Sequence, residues 1–334
     1  VLLKFDGKRN YVIGIDLGAT NTRGVLSNLD GKFLTEIEVP TRLEAGFDAV
    51  MSDVGNLINE LAESKSNVKK ERIYGVGIAV AGLVDLNKKI VEYSPVFDWT
   101  HVDILTSLEN KVEFPIIFDN VTRLMALGGM CFGKGQTQQN FICINVGYGI
   151  GSGIIVNGKL LTGSEGFAGE FGHITIDRDS DIQCSCKKYG CLEALASGKA
   201  IAFTTQSRLA RGQESALREM CGGDYSKVTA KMVADAAKEG DEMALNVFNR
   251  ATEYIGLGIS NLIGIFNPDM IVIGGGVSMA GEIFFDNIRT VVQKNSMRPT
   301  APQVQILPVA FGLNAAIMGA FSLILNKVLS FELS

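Results

Sequence analysis

No apolar run in this chain approaches the roughly 18 residues that a membrane span requires. The opening VLLKFDGKRN has neither the long apolar core nor the cleavage site of a signal peptide. No membrane role is expected, and the expected location is cytoplasmic. Positive charge is also short: 31 Lys and Arg stand against 36 Asp and Glu, a net charge of −5. Gripping a nucleic-acid backbone runs on clustered Lys and Arg, so the chain is not expected to hold DNA or RNA unaided. Histidine occurs twice and tryptophan once, and no low-complexity linker or short repeat is present.

What is present is enough for a large core. A chain of 334 residues, 46% of them apolar, exceeds what one hydrophobic core usually supports, which predicts two packed lobes. Of the six cysteines, Cys131 and Cys143 sit in apolar surroundings and Cys221 stands alone. Cys184, Cys186 and Cys191 crowd into CSCKKYGCLE, shortly after His173 in the run GEFGH. That spacing is wrong for a disulfide framework in a chain this long and reads as a metal-ligand set. The alternative is free cysteines beside a packed core histidine.

Taken in order, the pattern is α/β. Leu2 to Lys8 alternates and reads as a strand, the stub of something longer. Strands are predicted at Tyr11–Asp16, Arg23–Leu26 and Phe33–Val39, a helix over Gly46–Ser64, and a strand at Tyr74–Val80. Asp16, Gly18, Thr20 and Asn21 form a turn whose amides and hydroxyls can cradle phosphate or simply turn the chain. Ala81 and Gly82 make a turn small enough for a ligand to approach. Trp99 can stack on a sugar or pack as a lid. Phe114–Asp119 delivers Asn120, Val121 and Thr122 to the start of a helix, where open α/β sheets bind ligands. Strands follow at Phe141–Val146 and Ile154–Val156, around a turn with Gly147 and Gly149. Helices follow at Gly198–Arg211, Lys231–Lys238 and Glu242–Phe266. A strand at Met270–Ile273 opens into Gly274, Gly275 and Gly276, which can seat a nucleotide or only make a tight turn. A helix at Glu282–Val292, a strand at Val304–Leu307 and a helix at Asn314–Val328 complete the chain.

Assembled, DLGATNT at Asp16–Thr22, the Ala81-Gly82 turn, the strand ending at Asn120, GYGIGSG, GEFGH with CSCKKYGCLE, and GGGVS resemble the ROK family of sugar kinases and sugar-responsive repressors. The resemblance covers nearly the whole chain. It implies a two-lobed α/β fold of the ribonuclease-H-like, actin/hexokinase ATPase type, with a structural zinc loop. The implied lobes are 11–120 plus 313–334 and 121–312, with 1–10 as a linker from an N-terminal winged helix-turn-helix absent from this chain.

Three thiolates and an imidazole form the closed tetrahedral set of a structural zinc site, so His173, Cys184, Cys186 and Cys191 are expected to hold Zn2+. The resemblance implies sugar contacts from Ala81, Gly82, Asn120, Glu170, His173 and Glu193. It also implies nucleotide contacts, vestigial here, from Asp16, Gly18, Thr20, Asn21, Gly147, Gly149, Gly274, Gly275 and Gly276. Lys187 replaces the family's usual glycine, and Val96 and Phe97 replace a polar pair of the hexose-binding members.

The kinases of the family place an Asp directly after the Asn at the strand end, and here that position is Val121. Valine cannot accept a proton, and loss of a general base costs about two to four orders of magnitude in rate. Asp119 is the only rescue, from a neighbouring position that points elsewhere. Ala19 and Tyr148 would crowd a triphosphate. No catalytic residue is therefore assigned. The expected function is the effector-binding and dimerisation body of a sugar-responsive regulator, a homodimer or homotetramer whose sugar-driven lobe closure changes operator-DNA binding through the missing module. The alternative is an ATP-dependent hexose kinase of glucokinase or fructokinase type using Mg2+ and ATP.

Overall fold

The computed structural model describes residues 7–297 and 304–329. The chain divides into two compact units: one comprises the chain up to Thr137, together with Leu160–Ala168 and the part from Asn314; the other comprises Gln138–Lys159 and Gly169–Leu313.

In the first unit a hairpin of β1 (Tyr11–Leu17) and β2 (Asn21–Asn28) continues into β3 (Phe33–Pro40). The helix α1 (Phe47–Glu63) then crosses over to β4 (Ile73–Val80), parallel to β1. After a small antiparallel sheet of β5 (Leu83–Asp85), β6 (Ile90–Ser94) and β7 (Trp99–Val102), the short α2 (Ile104–Leu108) leads to β8 (Ile116–Asn120) and α3 (Val121–Phe132). The five-stranded sheet has the order β3-β2-β1-β4-β8. Its central strand YVIGIDL is buried almost throughout, which is why it carries no polar residue before Asp16.

The second unit repeats the scheme. A hairpin of β9 (Phe141–Val146) and β10 (Ile150–Val156) is extended by β11 (Lys159–Leu160). Helices α4 (Leu192–Ala196), α5 (Gly198–Ala210), α6 (Leu217–Met220), α7 (Ala230–Lys238) and α8 (Glu242–Phe266) follow. Next come β12 (Met270–Gly274), α9 (Glu282–Asn295) and β13 (Gln305–Pro308), giving the order β11-β10-β9-β12-β13. A hairpin extended to three strands, then two parallel strands reached by helical crossovers, occurs in both units, as the expected ribonuclease-H-like architecture requires. The last helix, α10 (Ala315–Leu329), returns to the first unit.

Most elements stand within a few residues of the sequence expectation. The described division follows Thr137, whereas the expected one followed Asn120; α3 lies against α10 and so stays with the first sheet. Of the predicted Leu2–Lys8 strand and the 1–10 linker, residues 1–6 lie outside the described residues, and Gly7–Arg9 form a single 3-10 turn docked on the β2–β3 connection through Leu29 N to Gly7 O at 3.0 Å. The small β5-β6-β7 sheet was not predicted. Its strands are three to five residues long, and Lys89, Asp98 and His101 take left-handed backbone conformations. Trp99 belongs to the core. It stacks on Phe97 at 4.4 Å between centroids and meets Phe47 edge-on at 5.0 Å, so neither it nor Phe97 is presented to a sugar.

Backbone contact without side chains holds α10 in place. A Cβ on Gly77 of β4 would lie 2.6 Å from Ala320 O, one on Gly128 of α3 would lie 2.7 Å from Gly319 N, and one on Gly319 would overlap the Leu124 carbonyl. With no flexible neighbour to yield at Gly319, the helices must part to admit a methyl group. Gly319→Ala is therefore expected to destabilise the protein by about 3 kcal/mol, read as a lower urea midpoint with an unchanged slope.

Candidate functional site

Two groups of predicted residues, one in each unit, are assembled by the fold. In the second unit, the segment from Gly169 to Cys191 has almost no regular structure, yet its donors converge. One ligand atom each from His173, Cys184, Cys186 and Cys191 lie within 4.8 Å of one another. His173 Nδ1 is 3.5 Å from Cys184 Sγ, and the Cys186 and Cys191 sulfurs are 3.6 Å apart. Bonds of about 2.3 Å at tetrahedral angles call for donor separations of this size, and three sulfurs with one imidazole suit a soft d10 ion. Burial raises Cys184, but hydrogen bonds with His173 and the Cys186 backbone outweigh it and bring the thiol to about 6. Burial and the neighbouring sulfurs push Cys191 up to about 12. One thiolate thus suppresses the next until a positive charge sits among them.

The loop's backbone is shaped for this convergence. Gly190 has φ 67°, and a Cβ there would overlap the Asp177 carbonyl. Lys187, in the place of the family's usual glycine, takes φ 69° and keeps the turn through its N–H to Cys184 O at 2.9 Å. Helix α8 backs the loop. Gly258 leaves room for Phe171 and Leu192, and Tyr254 Oη donates to Asp177 Oδ2 at 2.9 Å. With Nδ1 turned to the thiol, the other ring nitrogen of His173, Nε2, lies 3.9 Å from Glu170 Oε2. Glu193 joins the loop to the GYGIG turn: Oε1 accepts from Ser185 Oγ at 2.9 Å and Oε2 from Ile150 N at 3.0 Å. A side chain at Gly149 would overlap that carboxylate. Glu170, His173, Glu193 and Gly149 are therefore brought together around the metal-ligand set.

The glycines of the two remaining turns in this unit do packing work. Gly147 O accepts from Gly198 N at 2.8 Å, the first residue of α5. Gly274 pairs with Asn145 in the ladder, and a Cβ on Gly275 (φ 90°) would lie 2.5 Å from Val146 O. For Gly275 the tight-turn explanation suffices, while Gly276 has open space around it. Tyr148 is exposed, with Lys199 Nζ 5.5 Å from its ring centroid.

In the first unit, Ala81, Gly82 and Asn120 are brought together. Gly82 has φ 134°, and a Cβ there would lie 2.7 Å from Tyr93 O; Ser94 Oγ donates to Ala81 O at 2.6 Å. Asn120 caps α3, its Oδ1 accepting from Thr122 N at 2.8 Å and Arg123 N at 3.2 Å, while Nδ2 donates to Gly82 O at 2.8 Å. Val121 opens α3. Asp119 is not available as its replacement. It is 2% exposed and grips Arg123, whose Nε lies 2.8 Å from Oδ1. Burial raises this carboxyl and Arg123 pulls it down. Sequence reasoning missed that pair, although an acid and an arginine four apart were there to be read.

The turn after β1 is braced by Thr41, whose Oγ1 donates to Gly18 O at 2.8 Å and whose N–H reaches Thr20 O at 2.9 Å, while Asn21 Nδ2 binds Glu38. Asp16, half-buried beside Arg23, has its carboxyl pushed up to about 6 by burial, against the pull of that arginine.

A family model described as "ROK family" matches residues 12–327. A xylose repressor of Caldicellulosiruptor bescii is 31% identical over 99% of this chain and 82% of its own length. A glucokinase of Thermotoga maritima is 32% identical over 95% of this chain and 98% of its own. Among solved structures, a ROK family glucokinase from Streptomyces griseus in complex with glucose and AMPPNP superposes with a TM-score of 0.85 at 30% identity, covering 94% of this chain and 99% of that one. A ROK family transcriptional regulator, a homologue of the E. coli MLC protein, gives 0.82 at 26%, covering 96% and 78%. Repressors and kinases thus stand at similar distances.

Two outcomes are expected at these sites. Elemental analysis of the purified protein should find one metal equivalent per chain, and Cys191→Ala should lose it. Asp16 binds its proton more tightly folded than unfolded, so its contribution to stability falls as pH rises from about 4 to 6. Asp16→Asn should accordingly raise the unfolding free energy above pH 6 and leave it unchanged below pH 4, read from denaturant titrations.

Proposed function

This chain belongs to the ROK family, and from that premise we propose that it is the sugar-binding body of a sugar-responsive transcriptional regulator, inactive as a kinase. The observation that carries this reading is the β8–α3 junction. In the register that the family resemblance implies, Val121 stands where the kinases carry the base; it opens α3, and the nearby carboxylate of Asp119 is buried against Arg123. Phosphoryl transfer to a sugar hydroxyl needs an acceptor for its proton, and neither residue supplies one.

The residues assigned to the sugar are those the family resemblance implies: Ala81, Gly82, Asn120, Glu170, His173 and Glu193. Carboxylates accept hydrogen bonds from sugar hydroxyls. Glu193 Oε1 accepts from Ser185 Oγ and Cys184 Sγ, whereas Oε2 accepts only from Ile150 N among the described residues, which leaves acceptor capacity on Oε2. Asn120, whose oxygen is filled by the cap, offers its remaining amide N–H as a donor. Zn2+ is the ion we assign to His173, Cys184, Cys186 and Cys191; when bound, it neutralises the thiolates and fixes the loop that carries Glu170 and Glu193. The names of the relatives support a glucose- or xylose-class effector. Operator DNA would be engaged through an N-terminal winged helix-turn-helix, by a cytoplasmic homodimer or homotetramer.

The second reading is an ATP-dependent hexose kinase, favoured by the glucokinase relatives and by Gly18, Gly147 and Gly276 at the turns where a nucleotide would lie. Calorimetry with D-glucose, D-xylose and their N-acetyl and pentose analogues, beside a coupled ADP-release assay, separates the two. At least one sugar should bind, Glu170→Ala should weaken it about 10-fold or more, and no ADP should form. Turnover on the order of 1–100 per second would establish the kinase instead, and no binding by any sugar would sink the sensor.

A further inference from the structure

The Asp119–Arg123 pair does more than disqualify a base. Its side chains are 2% and 4% exposed, among the few charged groups so deeply placed in the described residues. Arg123 Nε and Nη2 both donate to Asp119 Oδ1, Nη2 also reaches Val84 O at 3.1 Å, and Nη1 donates to Gly166 O. Three backbone stretches far apart in sequence thus meet on one guanidinium: the end of β8, the strand β5 and the connection 160–168. Each adjoins a residue assigned to the sugar. Asn120 follows Asp119, Gly82 immediately precedes β5, and 160–168 runs without a break into Gly169 and Glu170. Gly166 itself is left-handed (φ 84°), and a Cβ there would lie 3.4 Å from Val84 O, so the connection lies directly over β5.

We propose that Arg123 is a positioning residue for sugar binding, holding 160–168, β5 and the β8 end in the arrangement that presents Gly82 and Asn120. This rests on the sugar-binding reading of those residues. Buried and committed to protein acceptors, the guanidinium does not reach a ligand and acts only through what it holds. Arginine is needed for geometric reasons. Its planar fork serves a carboxylate and two divergent carbonyls at once, whereas a lysine ammonium is a compact point charge on a flexible stem and would leave a carbonyl unpaired. Asp119 supplies the counter-charge that permits a guanidinium in this interior.

The test uses the whole chain, with D-glucose and D-xylose as probes in calorimetry and amide hydrogen exchange read over 160–168 and, for reference, over α1. Arg123→Lys is expected to remain folded by circular dichroism and to bind sugar on the order of 10-fold more weakly. Its amides over 160–168 should exchange faster than in the wild type while α1 is unchanged, and saturating sugar should restore their protection. A purely structural role would instead raise exchange in α1 and 160–168 together, and that result, or wild-type affinity in the variant, overturns the inference while leaving the sugar reading intact. Should Arg123→Lys fail to fold, Asp119→Asn carries the same comparison with a smaller loss, about 3-fold. A wild type that binds neither probe gives a different pattern and overturns the sugar reading, and the inference with it.

Discussion

The candidate site depends on one carboxylate that cannot be moved. Glu193 holds Ser185 with one oxygen and the Ile150 amide with the other, and Gly149 must lack a side chain for it to do so. The stretch from Gly169 to Cys191 has little regular structure of its own, so its shape comes from such pinned contacts and from the sulfur cluster. Helix α8 supplies the rigid wall behind them, capped by Asp241 at its start and stopped by the left-handed Asn267 before Pro268. A functional group carried on an irregular loop is placed reliably only when every degree of freedom is taken up by something stiffer.

The two units share a strand order but have diverged at the equivalent strand ends. The turn after β1 and the turn after β9 both join the first strands of a hairpin, and both are tied down by protein partners. Thr41 braces the first, and the start of α5 holds the second. The end of β8 instead carries a buried ion pair, Asp119 with Arg123. Removing either member would strand the other in a place where an unpaired charge is costly, so the pair is mutually retained whatever else changes around it.

Strongly periodic or fully apolar stretches were legible from the sequence: β1, α1 and α8 lie where alternation, helical spacing and the Asn267-Pro268 stop put them. The metal-ligand set was legible too, because cysteine and histidine are scarce and their clustering has few other meanings. The small β5-β6-β7 sheet escaped, since its turns rely on left-handed Lys89 and Asp98 with no glycine to announce them. At Gly275 a glycine is required by the neighbouring Val146 carbonyl, a contact between strands that sequence does not display. Arg123 was overlooked for the same reason: two of its acceptors, Val84 and Gly166, are backbone oxygens about forty positions away in either direction.

The return of α10 to the first unit sets an order of events during synthesis. Gly14, Gly77 and Gly128 present bare backbone that only the final helix covers, and between Thr137 and Asn314 the ribosome must add 314 − 137 = 177 residues. At about 5–20 residues per second that is roughly 10–35 s, during which the first sheet waits with one face open. The second unit, nearly contiguous in the chain, can close during that interval. A nascent chain of this protein therefore displays an unfinished apolar surface throughout that interval, and it is the stage at which holding chaperones have the most to bind.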